Sequence, residues 1–194
     1  MTEPSIAVAT NGRWVAIPID GGETPTEYGP AVVAELGKAV PADSREPLAE
    51  DLTLFAGHAH DSGAIFAAVM LAEGAVLAYT ECRPFDVKAA DLPADPEQLA
   101  GAIDAATIDP PGWRRVSTAD LPAGPAVRVH VLDAGRRGEA PEADLPVVES
   151  VTHLVPQTTA GPGVALVTTW PALLAADALV AEADRLAGTL AIIR

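Results

Sequence analysis

Four histidines are the residues of this sequence best suited to metal binding or acid–base chemistry: His58, His60, His130 and His153. His58 and His60 are two positions apart in a segment with helical periodicity. Their side chains would point about 200° apart on a helix, whereas chelation favours a spacing of three or four residues. A solvated helix end, where a protonated histidine interacts favourably with the C-terminal dipole, is the simpler interpretation of this pair.

His130 and His153 fall on two different predicted strands and could face each other across a hairpin. A facing pair would suit pH sensing or metal binding, because an unperturbed imidazole titrates near about pH 6.5. The register of the two strands cannot be read from the sequence. A plain pairing on an exposed face is therefore the favoured interpretation.

Cys82 is the only cysteine, so an internal disulfide is impossible. A neighbouring arginine, Arg83, can lower the pKa of a thiol, but Glu81 on the other side opposes that effect. A nucleophilic cysteine also needs a positioned base, and the surrounding sequence matches no known cysteine hydrolase. We predict that Cys82 is a packing residue at the end of a strand.

Motifs of hydrolases and phosphate-binding proteins are absent. Neither Gly-x-Ser-x-Gly nor Gly-x-x-x-x-Gly-Lys-Ser/Thr occurs in the sequence. We therefore assign no catalytic residue, no cofactor and no metal ligand, and a protein that is not an enzyme is favoured.

Trp113, Arg114 and Arg115 form a segment better suited to binding another protein. Tryptophan and arginine are enriched at interface hot spots, and this basic segment stands out in an acidic chain. The alternative is a strand start with a buried Trp113 and two solvated arginines.

The net charge of −15, from 27 acidic and 12 basic residues, makes nucleic acids and anionic membranes poor partners. An acidic surface could instead mask a basic protein. The N-terminus lacks the features of a secretory signal, and no apolar run is long enough to cross a bilayer. These observations predict a cytoplasmic protein; they do not determine its oligomeric state.

These candidate residues are positioned by helices and strands, which the sequence predicts from apolar periodicity and capping residues. Alternation predicts a first strand over 13–19, and apolar spacing predicts a helix over 26–39. A second helix begins with Asp43 or Ser44 as cap, with Glu46 completing a capping box, and ends near 61–63. Two apolar runs, 64–71 and 75–79, form a hairpin that continues toward Cys82.

The second half of the chain is rich in strands. A short helix begins after the cap Asp95, and three or four antiparallel strands follow from Trp113 onward. A charged loop over 133–146 precedes the third of them, and an amphipathic helix begins at Pro171. The order of elements predicts one α+β domain over 1–194, an antiparallel β-sheet covered by helices, with 1–11 as a flexible leader.

The segment 125–193 resembles the C-terminal half of the PsbP-like fold, and the whole order of elements resembles actinobacterial proteins of that fold. The resemblance rests on Ala126-Val127-Arg128-Val129, on 148–156, on 164–171 and on the closing helix. It implies small binding or assembly-assisting proteins, among them photosystem extrinsic subunits and a Ran-binding nuclear protein. No functional residue carries over, because no site motif of those proteins occurs in this chain.

Three hypotheses follow from the sequence. The leading one is a non-catalytic protein-binding or accessory domain of an immunity-, chaperone- or secretion-associated type. The second is a small-molecule or metal-binding enzyme that uses the histidines in a pocket the linear sequence hides. The third is a structural subunit of a larger assembly.

Overall fold

The computed structural model describes residues 5–19, 24–106, 113–134, 147–158, 161–171 and 176–193. The chain divides into two compact units. The first unit is Thr10–Arg83, and the second unit comprises Met1–Ala9 and Pro84–Arg194. The expectation of a single domain over 1–194 stays a prediction.

The described part of the chain contains nine strands and four α-helices. The strands are β1 (Ser5–Ala7), β2 (Trp14–Ile17), β3 (Phe66–Ala72), β4 (Ala75–Phe85), β5 (Trp113–Leu121), β6 (Gly124–Ala134), β7 (Val147–Thr158), β8 (Gly161–Pro171) and β9 (Ala191–Ile193). The helices are α1 (Pro25–Leu36), α2 (Arg45–Asp61), α3 (Pro96–Ala105) and α4 (Ala176–Ala187). Strands pair antiparallel in both units and helices pack against them, which confirms the α+β class with an antiparallel sheet covered by helices.

In the first unit, β2, β3 and β4 form an antiparallel arrangement with β3 in the middle. The hairpin between β3 and β4 turns at Glu73 and Gly74, whose φ angles are 51° and 81°. Glycine adopts such angles without strain, and a two-residue turn of this kind matches the twist of the flanking strands. The predicted hairpin is confirmed.

Helices α1 and α2 of the first unit lie close together and share an apolar core. A Cβ atom at Gly29 would lie 2.1 Å from the Ala49 carbonyl oxygen, so the helices could not approach this closely with any other residue there. Leu48 and Leu52 of α2 are at most 1% exposed, and the Tyr28 hydroxyl of α1 donates a 3.0 Å hydrogen bond to the Ala16 carbonyl of β2. Many small aliphatic contacts build this core, as expected for a chain that is 49% hydrophobic but only 4% aromatic.

The second unit contains a four-stranded antiparallel arrangement in the order β8-β7-β6-β5. Helix α3 packs against β5 and β6, with Leu99, Val127 and Val129 buried between them. Helix α4 packs against β7 and β8 on the opposite face. Strand β1 pairs with β9 in a separate two-stranded ribbon.

Three details differ from the sequence-based expectations, and one expected cap is confirmed. Ser5–Ala7, inside the predicted leader, forms β1. Pro171 is the last residue of β8, so the prediction that the final helix starts at Pro171 is wrong; α4 is described over Ala176–Ala187. Ser44 ends a 3₁₀ turn with helical backbone angles, so the predicted capping box at α2 is replaced by that turn. Asp95 does cap α3, because its side chain accepts a 2.9 Å bond from the Gln98 amide.

The charged loop expected over 133–146 lies largely outside the described residues. Among the helices that the structure does describe, none combines the length and the apolar character needed to cross a membrane.

Candidate functional site

Strand register places five chemically distinctive side chains on one face of the second unit. Trp113 lies opposite Leu132, Leu132 opposite Glu149, and Glu149 opposite Trp170. Residues two apart on a strand share a face, so Arg115 and His130, which pair with each other in the next row, lie on the same side. We call this the α4 face, because Asp184 of α4 contacts the next row, Arg128 and His153.

His130, Glu149 and Trp170 form a buried polar layer on the α4 face. Nε2 of His130 lies 2.6 Å from Oε1 of Glu149, and Nε1 of Trp170 donates a 3.0 Å bond to Oε2 of the same carboxylate. The three residues are 9%, 7% and 2% exposed. Because buried polar groups must be paired, both carboxylate oxygens serve to anchor neighbouring rings.

Trp113 rests on this layer and is open to solvent. Its ring meets the His130 ring edge to face, with centroids 4.8 Å apart and an interplanar angle of 87°. The Arg115 guanidinium carbon lies 5.4 Å from the Trp113 centroid. Trp113 is nevertheless 42% exposed, and Val147, on the same face at the end of β7, is 39% exposed. We call Trp113, Arg115 and Val147 the Trp113 patch.

The predicted binding segment Trp113-Arg114-Arg115 is divided between the two faces of the strand. Arg114 points to the α3 side, where one guanidinium nitrogen donates bonds of 2.8 and 2.6 Å to the carbonyl oxygens of Asp104 and Ala106. These carbonyls lie at the end of α3, where a helix leaves acceptors unpaired. Arg114 therefore fastens α3, while Trp113 and Arg115 remain at the surface.

The other end of the α4 face carries a second histidine–carboxylate pair, which α4 covers. Asp184 accepts bonds of 2.7 and 3.1 Å from the Arg128 guanidinium and lies 3.1 Å from Nε2 of His153. Burial by itself raises the pKa of Asp184, but the bonds from His153 and Arg128 outweigh it and lower the pKa to about 2. We call Arg128, His153 and Asp184 the Asp184 cluster.

The two strand histidines thus share a face but do not lie opposite each other. His130 pairs with Val151, and His153 pairs with Arg128, one row along. Each imidazole contacts a different carboxylate, Glu149 or Asp184. The hypothesis of a facing pair is replaced by two separate pairs.

The helix histidines lie at the end of α2 in the first unit. His60 is exposed and 3.7 Å from Asp61, as a solvated helix end predicts. His58 meets the ring of Tyr79 edge on and lies 3.7 Å from the carboxylate of Glu81. The described residues contain no group of three or more histidine, cysteine, aspartate or glutamate side chains placed to bind one metal ion.

Glu81 is a buried carboxylate that the sequence analysis considered only as a neighbour of Cys82. It is 3% exposed and accepts 2.8 Å bonds from the hydroxyls of Ser62 and Tyr79. Glu149 was likewise missed. Both glutamates occur inside β-rich apolar runs, which is the signal that could have identified them as buried.

Cys82 is fully buried on β4, as predicted for a packing residue. Burial, together with the negative charge of Glu81, raises its pKa to about 12. The thiol is therefore protonated and unreactive at neutral pH.

A shallow groove of about 410 Å³ lies on the first unit, between α1 and α2. It is lined by Pro30, Glu46, Ala49, Glu50, Thr53 and Leu54. Leu54 is 66% exposed, and no histidine lines the groove.

No protein-family model matches the chain, and no curated protein is similar to it. Among solved structures, the crystal structure of LpqN, involved in cell envelope biogenesis of Mycobacterium tuberculosis, is 12% identical with a TM-score of 0.43. The match covers 99% of this chain and 85% of LpqN. A likeness at this level supports no conclusion about this chain.

Proposed function

We propose that this chain is a non-catalytic, protein-binding accessory domain of the cytoplasm and that it binds its partner through the Trp113 patch. The observation that carries the proposal is an exposed tryptophan whose ring is supported from below. Trp113 is 42% exposed, yet its ring rests on His130, which Glu149 fixes in turn. The PsbP-like resemblance of 125–193 supports a binding or assembly role and is itself part of the proposal.

The contact of the Trp113 ring with His130 matters because binding a partner costs conformational entropy when interface side chains become ordered. A ring already fixed by its neighbours loses little freedom when a partner covers it. Tryptophan and arginine carry a large share of interface energy, and here the Arg115 guanidinium lies over the Trp113 ring, with the exposed Val147 on the same face of the sheet. The patch therefore has the composition and the preorganisation of a binding hot spot.

The charges of this chain predict two properties of the partner: a net positive charge and an acceptor group at the point of contact. The net charge of −15 attracts a basic protein over long distances and raises its association rate. Within the patch, Arg115 favours a carboxylate or a carbonyl group of that partner at short range. Added salt should then slow association much more than it speeds dissociation.

The His130–Glu149 pair also favours, as a second candidate, an enzyme with an oriented imidazole. A carboxylate bonded to one imidazole nitrogen is the arrangement that fixes a catalytic histidine. In this chain the same carboxylate also binds Trp170, which supports the structural role. Metal analysis tests the metal-dependent form of this second candidate: stoichiometric zinc or iron that is lost in a His130→Ala variant would favour the enzyme.

Pull-down from native extract with the tagged full chain tests the binding proposal. Trp113→Ala should reduce recovery of the partner about tenfold, since a hot-spot side chain contributes more than about 1.4 kcal/mol. Leu54→Ala is the matched control, because it removes another large exposed side chain on a different unit. Both variants should keep the circular dichroism spectrum of the wild type.

Equal recovery with all three proteins would contradict the role of the Trp113 patch. Failure of the wild type to retain any stoichiometric partner would contradict the binding function itself.

A further inference from the structure

Strand β5 has a long, regular outer edge with which no other described strand pairs. It stands last in its sheet order, and within the described residues it pairs only with β6. The pairing runs without a register shift from Trp113–Leu132 to Leu121–Gly124. Prolines, bulges and charged side chains, lysine above all, discourage further pairing at a sheet edge. β5 has no proline, lysine or register shift, and its three charged residues, Arg114, Arg115 and Asp120, are of both signs. Its outer edge is a template for another strand.

The sequence of β5 is complementary to itself. In a symmetric pair of β5 strands, a two-fold axis perpendicular to the sheet leaves each side chain on the same face in both copies. Directly opposite residues must share a face, and neighbouring residues do not, so the axis must pass beside one residue that lies opposite its own copy. Ser117 is the middle of the nine residues. Centred there, Trp113 lies opposite Leu121 of the second copy, and Arg114 lies opposite Asp120 of the second copy.

The remaining pairs in this register contain no like charges. Arg115 lies opposite Ala119, Val116 opposite Thr118, and Ser117 opposite itself. Centring on Val116 or Thr118 leaves two residues of each strand without a cross-strand partner and separates Arg114 from Asp120. Opposite charges and apolar pairs directly across strands stabilise a sheet, whereas like charges destabilise it.

We infer that the chain forms a symmetric dimer in which β5 pairs antiparallel with β5 of a second copy about Ser117. Local charge complementarity favours a second copy as the occupant of this edge. β5 carries two arginines and one aspartate, so it is not part of the acidic surface of the chain. One nitrogen of Arg114 makes both of its bonds to α3, and a guanidinium has five N–H donors, which leaves donors for Asp120 of the second copy.

The dimer would change the Trp113 patch in two ways. Leu121 of the second copy would stand beside Trp113 on the same face and extend the apolar surface. The two Trp113 residues would lie eight strand positions apart, about 27 Å at the rise of an antiparallel strand. A partner with two binding segments could then engage both patches, and avidity would raise its affinity.

Cysteine cross-linking of the full-length protein tests the register directly. In a Ser117→Cys variant the two introduced thiols would be cross-strand neighbours, within the range that a disulfide spans. In a Thr118→Cys variant the two thiols would be diagonal neighbours about 7–8 Å apart, beyond easy bridging. Both positions are exposed, and buried Cys82 provides the unreactive background.

Under mild oxidation, Ser117→Cys should form a covalent dimer about tenfold faster than Thr118→Cys, a rate ratio equivalent to tenfold in effective concentration. Sedimentation of the unmodified chain over a concentration series should show a doubled mass. The measurement is made in about 0.15 M salt, where charges more than about 8 Å apart are screened and the acidic bodies repel little.

Equal cross-linking rates, or a faster rate for Thr118→Cys, would overturn the register, and a monomeric mass at every concentration would overturn the dimer. None of these results depends on the pull-down with Trp113→Ala, so failure of the dimer and failure of the proposed function can be told apart.

Discussion

The two ends of the α4 face contain the same kind of pair and differ in what lies above it. In the Asp184 cluster, a histidine and an arginine meet a carboxylate that belongs to the covering helix. Near the Trp113 patch, a histidine meets a carboxylate of the neighbouring strand, and an exposed tryptophan lies above them. The comparison shows that a histidine–carboxylate pair can fasten a helix to a sheet or support a surface aromatic ring.

This difference predicts where substitutions affect stability and where they affect binding. Groups beneath a cover should matter for folding, and groups above the polar layer should matter for recognition. Four comparisons between variants test that division, and the first has the largest expected loss of stability.

Glu149→Ala should cause the largest loss, about 3 kcal/mol in the free energy of unfolding, because it leaves a buried imidazole and a buried indole N–H without their acceptor. Urea denaturation measures the change. Glu149→Gln retains one acceptor oxygen and should cost only about 1 kcal/mol. If both variants lose the same amount, the carboxylate contributes through its volume and not through its bonds.

Asp184→Ala should cost less, about 2 kcal/mol, because the Asp184 side chain is 41% exposed and water partly replaces it as a partner. Urea denaturation applies here also. Asp177→Ala is the matched control, since Asp177 is an exposed acidic residue in the first turn of the same helix. An equal loss in the control would indicate a general effect on the helix instead of the loss of the cluster.

The pH dependence of stability should show the contribution of Asp184. Its pKa in the folded chain is about 2, below the ordinary value of 3.8. The stabilisation is therefore complete above about pH 4 and is lost as the pH falls from about 4 toward 2. Asp184→Asn should remove this component, so the difference in stability between the two proteins should shrink over that range. A constant difference would show that the carboxylate charge is not responsible.

Arg114→Ala and Arg115→Ala should differ although the residues are neighbours. Arg114→Ala removes two bonds to the end of α3 and should cost about 1 kcal/mol. Arg115→Ala removes an exposed contact with a ring and should cost less than about 0.5 kcal/mol. In the pull-down the order should reverse, with Arg115→Ala reducing partner recovery more. The same order in both experiments would contradict the division between the faces.

Local signals explain which elements could be predicted. Strands with alternating apolar residues, the hairpin at Glu73–Gly74 and the Asp95 cap depend on residues close in sequence, so their patterns are visible in the chain itself. Pro171 belongs to β8 and not to the last helix, and the sequence does not distinguish these because proline suits both the end of a strand and the first turn of a helix. Strand β1 was missed because three residues carry too short a pattern and pair with β9, which is far away in sequence.

The sequence by itself determined the class of the fold, the aliphatic core, the unreactive burial of Cys82 and the identity of Trp113 and Arg115 as residues worth testing. Only the tertiary structure shows that Glu149 contacts His130 and that Asp184 contacts His153. It also shows that Arg114 lies on the opposite face of the sheet and that Trp113 is exposed. The physical reason is that composition and periodicity act within a few residues, whereas these assignments depend on strand register. A shift of one residue would turn every side chain of a strand to its other face.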